Sequence, residues 1–392
     1  MTITTALKKN LHGHSPLRRA CLAALVLAST CQIANAQAIT IKVVDVGGAY
    51  NLLQGAIESY RDKHPEVTFN LAKALAPELP AMLRTAQLAG KPDADLVLGG
   101  GDILASGIEQ SLWVPLLPAH AAKFPSAMDN YFKESRKMQE LASSQGLAVV
   151  YALGGPLLEY NPDKVSQIPT TPSELLVWCR AHPGKFSYAR PANSGPGRAF
   201  IMGLPYLLGD KDPKDPVDGW ANTWAYLKDL DKCIDAYSST TGALMKDLGA
   251  GGKHMTVTTT GWDIHPRAMG VVPKHFKVAA FKGMTWINDA QYMMVPKGLP
   301  PERMNVVLDL MAHLLTREQQ AKAYDKGYFY PGPAIKNVPF SLAPPESQKV
   351  IKEFGRVEYT LWGLNQPHAQ PLSAQAMVKA FKIWDEQVAK RP

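Results

Sequence analysis

The stretch Ala94-Asp95-Leu96-Val97-Leu98-Gly99-Gly100-Gly101-Asp102 decides the fold class. A short aliphatic run of this kind is what a strand buried on both faces looks like, and the three glycines end it. Helical spacing resumes at once over Ile103 to Gln110, ahead of Trp113-Val114-Pro115-Leu116. Upstream the same order recurs. Ile39 to Val46 alternates and is rich in β-branched residues, Gly47-Gly48 breaks it, and Leu52, Leu53, Ala56, Ile57 and Tyr60 follow at helical spacing. Val67 to Leu71 reads as a strand and Pro80 to Ala89 as a helix. Strands that alternate with helices across short loops predict an α/β fold, with a mostly parallel sheet flanked by helices.

A second unit of the same kind follows the apolar stretch Leu147 to Leu158. Lys185 to Ala189 is a strand entering a Pro/Asn/Ser/Gly loop, and Ala199 to Leu208 and Trp220 to Leu230 are helical. His254 to Thr259 alternates as a strand into the loop Thr260-Gly261-Trp262-Asp263, and Val278 to Phe281 is another short strand. From Ala290 the chain passes through Met293-Met294-Val295-Pro296 into a periodic helix with Met304, Val307, Leu308, Met311, Leu314 and Leu315. A C-terminal helix capped by Ser373 carries Met377, Ala380, Phe381, Trp384 and Val388 on one face.

With 46% apolar residues in 392, the chain has ample material for packed cores, which excludes a disordered or fibrous protein. The formal charge of +8 falls to +4 without Lys8, Lys9, Arg18 and Arg19, and the rest holds no basic block, which argues against nucleic acid as a partner. Those four bases belong to residues 1–36, which read as an export signal. A basic region ending in Arg18-Arg19 leads into the apolar run Ala20 to Ala28 and then to Ala34-Asn35-Ala36. Cleavage is expected after Ala36, placing the mature chain in the periplasm. A membrane anchor is the alternative, but the apolar run is far shorter than the roughly 20 residues a span needs. Twin-arginine and lipidation variants at Arg18-Arg19 and Cys31 fit poorly. Cys21 and Cys31 leave with the signal, so the mature chain keeps Cys179 and Cys233 in an oxidising compartment. A disulfide between them is the simplest arithmetic, with two buried free thiols as the alternative.

Enzyme signatures are weak. Gly249-Ala250-Gly251-Gly252-Lys253 has the wrong spacing for a phosphate-binding loop, and His254 stands where a Ser or Thr is required. There is no Gly-x-Ser-x-Gly elbow and no His-Glu-x-x-His pair, so no metal or cofactor is expected. What remains is a set of loops that follow strands. In an open α/β sheet such loops converge on one crevice. Gly47-Gly48-Ala49-Tyr50 and Gly99-Gly100-Gly101-Asp102 would offer free amides, and Pro191 to Arg198 joins side-chain donors and an Arg ahead of a helix, as an anion requires. Plain turn chemistry or helix capping by Asn193 or Ser194 accounts for the same loops. Trp262 with Asp263 pairs an aromatic face with a carboxylate, suited to an organic cation or to interdomain packing, and Trp286 with Asp289 repeats the combination.

Taken in order, four of these segments resemble the periplasmic solute-binding proteins of ABC importers. The resemblance is to their type II branch of polyamine, thiamine, ferric-ion and phosphonate binders. They are Ala94 to Leu98 with Gly101-Asp102 and Gly107 to Leu116, then Gly155-Pro156-Leu157-Leu158-Glu159-Tyr160-Asn161-Pro162, then Pro191 to Arg198, then Met293 to Gly298. The resemblance implies two lobes joined by crossovers near Val149 to Leu158 and Gln291 to Val295, closing by a hinge on a solute. It divides the chain into 37–148, 149–290 and 291–392. It implies a site of Gly48, Ala49, Tyr50, Gly101, Asp102, Asn193, Ser194, Gly195, Thr260, Gly261, Trp262, Asp263, Trp286 and Asp289. No Tyr-Tyr pair occurs, which disfavours iron. A monomeric binding protein that delivers a small polar or charged solute to a membrane permease is expected. An exported α/β hydrolase or transferase using the same cleft is the alternative, and the lack of a nucleophile and base constellation speaks against it.

Overall fold

The computed structural model describes residues 38–117 and 119–389; the expected export signal, with Cys21 and Cys31, lies outside them. Two sheets organise the chain from Ile39 onward. The larger has seven strands: β1 (Ile39–Val46), β2 (Val67–Ala74), β3 (Leu96–Gly99), β4 (Leu147–Gly155), β9 (Trp286–Met294), β10 (Pro331–Pro333) and β11 (His368–Ala369). The smaller holds β5 (Leu157–Tyr160), β6 (Phe186–Ser187), β7 (Met255–Thr258) and β8 (Lys277–Ala279), in the order β6-β7-β5-β8.

Both sheets are mixed. β1 runs parallel to β2 and β3, because each of those strands returns through a covering helix. β9 enters antiparallel between β3 and β4, a pairing that needs no helical crossover. In the smaller sheet β6 and β7 are parallel, while β5 is antiparallel to both β7 and β8. All nine residues of β9 are buried, which explains a run as apolar as Tyr292-Met293-Met294.

Only Pro156 separates β4 from β5, so the chain steps there from one sheet to the other. The helix Ala49–Arg61 buries Ala49, Leu52, Leu53, Ala56, Ile57 and Tyr60, the face set by the 3.6-residue period. The smaller sheet carries an aromatic core with Trp220, Phe186, Tyr188 and Phe200 fully buried. The helix Ala374–Gln387, capped by Ser373 Oγ accepting from Ala376 N–H, sends Phe381 and Trp384 into that core and lies against the helix Gly101–Glu109 of the larger sheet. Cys179 and Cys233 form a disulfide. Among the described residues no helix is long and apolar enough to cross a membrane.

Candidate functional site

A cavity of about 250 Å³ opens where the two sheets face each other. Val46, Gly47 and Gly48 at the end of β1, Leu75 after β2, and Gly100 and Asp102 after β3 form one wall. Asn193, Gly195 and Arg198 form the opposite wall, with Thr240, Thr241, Gly242 and Trp262. Asp289 and Gln291 of β9 line it as well, and Tyr328 and Phe329 complete it.

Arg198 dominates the chemistry. It sits one turn into the helix Gly195–Leu208, whose start is fixed by Ser194 Oγ accepting from Gly197 N–H at 3.0 Å. That position carries the guanidinium across to the other wall, where Nη1 lies 2.9 Å from Asp102 Oδ2 and Nη2 lies 3.0 Å from Asp289 Oδ2. The arginine is only 4% exposed. Burial alone would lower its pKa, but Asp102 and Asp289 outweigh burial and hold it above the ordinary value. Asp289 is raised above the usual carboxylate range, first by burial and further by the charge of Asp102, with Arg198 pulling the other way. One guanidinium thus serves two carboxylates, and the group keeps a formal charge of minus one.

Gln291 stands beside this group, 7% exposed, and its Oε1 has no hydrogen-bond partner among the described residues. Trp262 and Tyr328 pack with ring centres 5.1 Å apart and line the same cavity as the acids. Tyr328 Oη donates to Gly47 O at 3.0 Å. Gly48 has φ +86, and a Cβ there would meet the Tyr328 hydroxyl, so glycine is required twice over. Asn193 spans the walls, its Oδ1 accepting from Ala76 N–H at 3.4 Å and its Nδ2 donating to Ser239 O at 2.9 Å.

Of the residues expected in the cleft, the cavity brings together Gly48, Asp102, Asn193, Gly195, Trp262 and Asp289. Ala49, Tyr50, Gly101, Ser194, Thr260, Gly261, Asp263 and Trp286 are not among the residues that line it. Asp263 is fully buried, its carboxylate taken by Arg267, Arg356 and the Tyr359 hydroxyl. Trp286 is fully buried and donates its Nε1–H to Trp362 O at 3.2 Å. Thr260 donates to Tyr330 O at 3.1 Å, and Gly261 packs against the Tyr328 carbonyl, where a Cβ would collide. Ser194 is a cap, sharing a hydrogen bond with Thr241 Oγ1 at 2.8 Å. Gly101 opens its helix beside Met377, and Ala49 is buried.

The amides of the Gly47 to Tyr50 loop are not free for an anion. Asp45, 3% exposed, accepts from Tyr50 N–H at 2.9 Å, and the Gly48 and Ala49 amides face the same carboxylate, whose pKa burial raises. Arg198, read as half of an anion site, is occupied by its two aspartates. Thr240 to Gly242, Gln291, Tyr328 and Phe329 escaped the sequence reading. Ser239-Thr240-Thr241-Gly242 is a hydroxyl and glycine loop like those singled out, and Gln291 is a polar residue in a buried strand. Tyr328 and Phe329 carry no local signal.

A family model described as bacterial extracellular solute-binding protein matches residues 55–351. No curated protein matches. Among solved structures, an ABC transporter substrate-binding protein from Bradyrhizobium japonicum USDA 110 is similar at TM-score 0.64 and 17% identity, over 90% of this chain and 99% of that one. The periplasmic binding protein AfuA from Actinobacillus pleuropneumoniae, with fructose-6-phosphate bound, is similar at TM-score 0.64 and 14% identity, over 90% and 99%. A putative spermidine/putrescine ABC transporter from Listeria monocytogenes reaches TM-score 0.61 at 14% identity, over 90% and 99%.

Proposed function

The chain belongs to the bacterial extracellular solute-binding protein family, and from that premise we propose that it captures a small solute in the cavity around Arg198 and delivers it to a permease in the inner membrane. The chain is a binding protein, not an exported hydrolase or transferase. The observation that carries the reading is the cavity itself. Its two walls come from the ends of two different sheets, and the Arg198 side chain reaches from one wall to the other. In this reading the larger sheet forms one lobe and the smaller sheet the other, with hinges at Pro156 and at the entry to β9, and the helix Ala374–Gln387 bridges the two. The mature protein begins at Gln37 and works as a periplasmic monomer.

Proteins of similar fold include one with fructose-6-phosphate bound and a putative spermidine/putrescine transporter, so fold alone does not choose the solute. Native mass spectrometry of protein exported by its own host tests the reading: a small molecule retained unchanged, on a chain starting at Gln37, is the expected result. A preparation that holds no solute and gains thermal stability from none would count against it.

A further inference from the structure

We propose that the solute is an organic amine whose ammonium group sits against Asp289, Asp102 and Gln291. The inference rests on the solute-binding reading and narrows it to one ligand chemistry. Three observations carry it. First, the charge-bearing side chains lining the cavity are two aspartates and one arginine, a formal excess of one negative charge that a single positive charge would balance. Second, the arginine is already committed to both acids, while Gln291 Oε1, on a side chain more than nine-tenths buried, accepts nothing. A buried acceptor without a donor costs on the order of 1–3 kcal/mol, and an ammonium N–H removes that cost. Third, Trp262, Tyr328 and Phe329 line the same space, and aromatic faces attract a cation.

The cavity holds roughly eight water volumes, far more than a bare metal ion fills, and among the described residues no group of three His, Cys, Asp or Glu could hold one. An anionic solute would meet two carboxylates and an arginine already ion-paired with both of them. The oxygens of Asp45, Ser194 and Thr240 already cap three of the helices that begin at the cavity.

Thermal melts and titration calorimetry of the full chain with putrescine, 4-aminobutyrate, succinate and inorganic phosphate test this. The amines should raise the melting temperature and the two anions should not. Asp289→Asn should weaken amine binding by roughly tenfold or more. Because that change also disturbs Arg198, Gln291→Leu serves as the second variant; it leaves both ion pairs in place and should weaken amine binding too. Binding of succinate or phosphate that tightens in Asp289→Asn would overturn the inference and leave solute binding intact. So would a panel in which no amine acts while native mass spectrometry shows another class of molecule retained. A chain that retains no solute at all fails the broader reading instead.

Discussion

His265 shows at the scale of one residue what burial does to a charge. Its ring meets Tyr328 edge-on at 4.8 Å, and Nδ1 has no hydrogen-bond partner among the described residues. Burial pushes the imidazole down to about 4; a hydrogen bond with the Lys326 backbone opposes it, and the charge of Lys326 adds a smaller push downward. In the unfolded chain the same ring takes a proton near pH 6.5. The unfolded state therefore binds more protons between pH 6.5 and 4, and the folded state loses up to about 3 kcal/mol as pH falls through that window. Urea unfolding at pH 7 and pH 4 should show a smaller loss in His265→Gln than in the wild type; equal losses would mean the ring is solvated. Residue chemistry was only partly legible in the sequence. Asp102, Asp289 and Arg198 all stood out as charged groups near predicted loops, yet their mutual pairing decides the sign of the site. That pairing joins segments far apart in the chain, which no local pattern reports. Asp263 failed for the same reason: its partners Arg356 and Tyr359 lie more than ninety positions downstream.

At the scale of the element, periodicity worked where burial was one-sided or complete. β1 occupies Ile39–Val46 as its alternation implies, and the face of Ala374–Gln387 is the one its spacing gives. Thr260-Gly261-Trp262-Asp263, a loop by its sequence, opens the helix Thr260–Ala268. Its Thr-Gly start and Pro266 argue against a helix locally; the glycine is there because the backbone of Tyr328 passes too close for a side chain. The disulfide belongs to this scale as well. It ties the helix Pro172–Ala181 to the turn after Ala221–Asp231 and closes a loop of 54 residues. In the chain-entropy model such a loop contributes about 4 kcal/mol. Cys179→Ser/Cys233→Ser is expected to lower the urea midpoint accordingly, and the denatured, unreduced wild type should titrate with no free thiol. Two reactive thiols per chain would refute the bridge.

For the whole molecule, the proposed hinges and the Arg198 pair act against each other. The chain crosses between the sheets at Pro156 and at the entry to β9, while Arg198 holds Asp102 across the cavity. Opening the cavity breaks that pair, so a solute that touches both walls should favour the closed form through contacts the open form lacks. Small-angle scattering is expected to show a smaller radius of gyration with bound solute than without. An unchanged radius with the solute tightly bound would mean that the walls do not move.

The placement of Trp384 also sets a timetable. Its indole N–H donates to Tyr188 Oη at 2.8 Å, across 196 positions of sequence, and it packs beside Phe381 in the core of the smaller sheet. Until that stretch has been synthesised, Tyr188 and its aromatic neighbours lack the helix that covers them, and the core stays incomplete. The last helix to be made therefore decides when the smaller sheet can set, and a chain still short of it is left pliable.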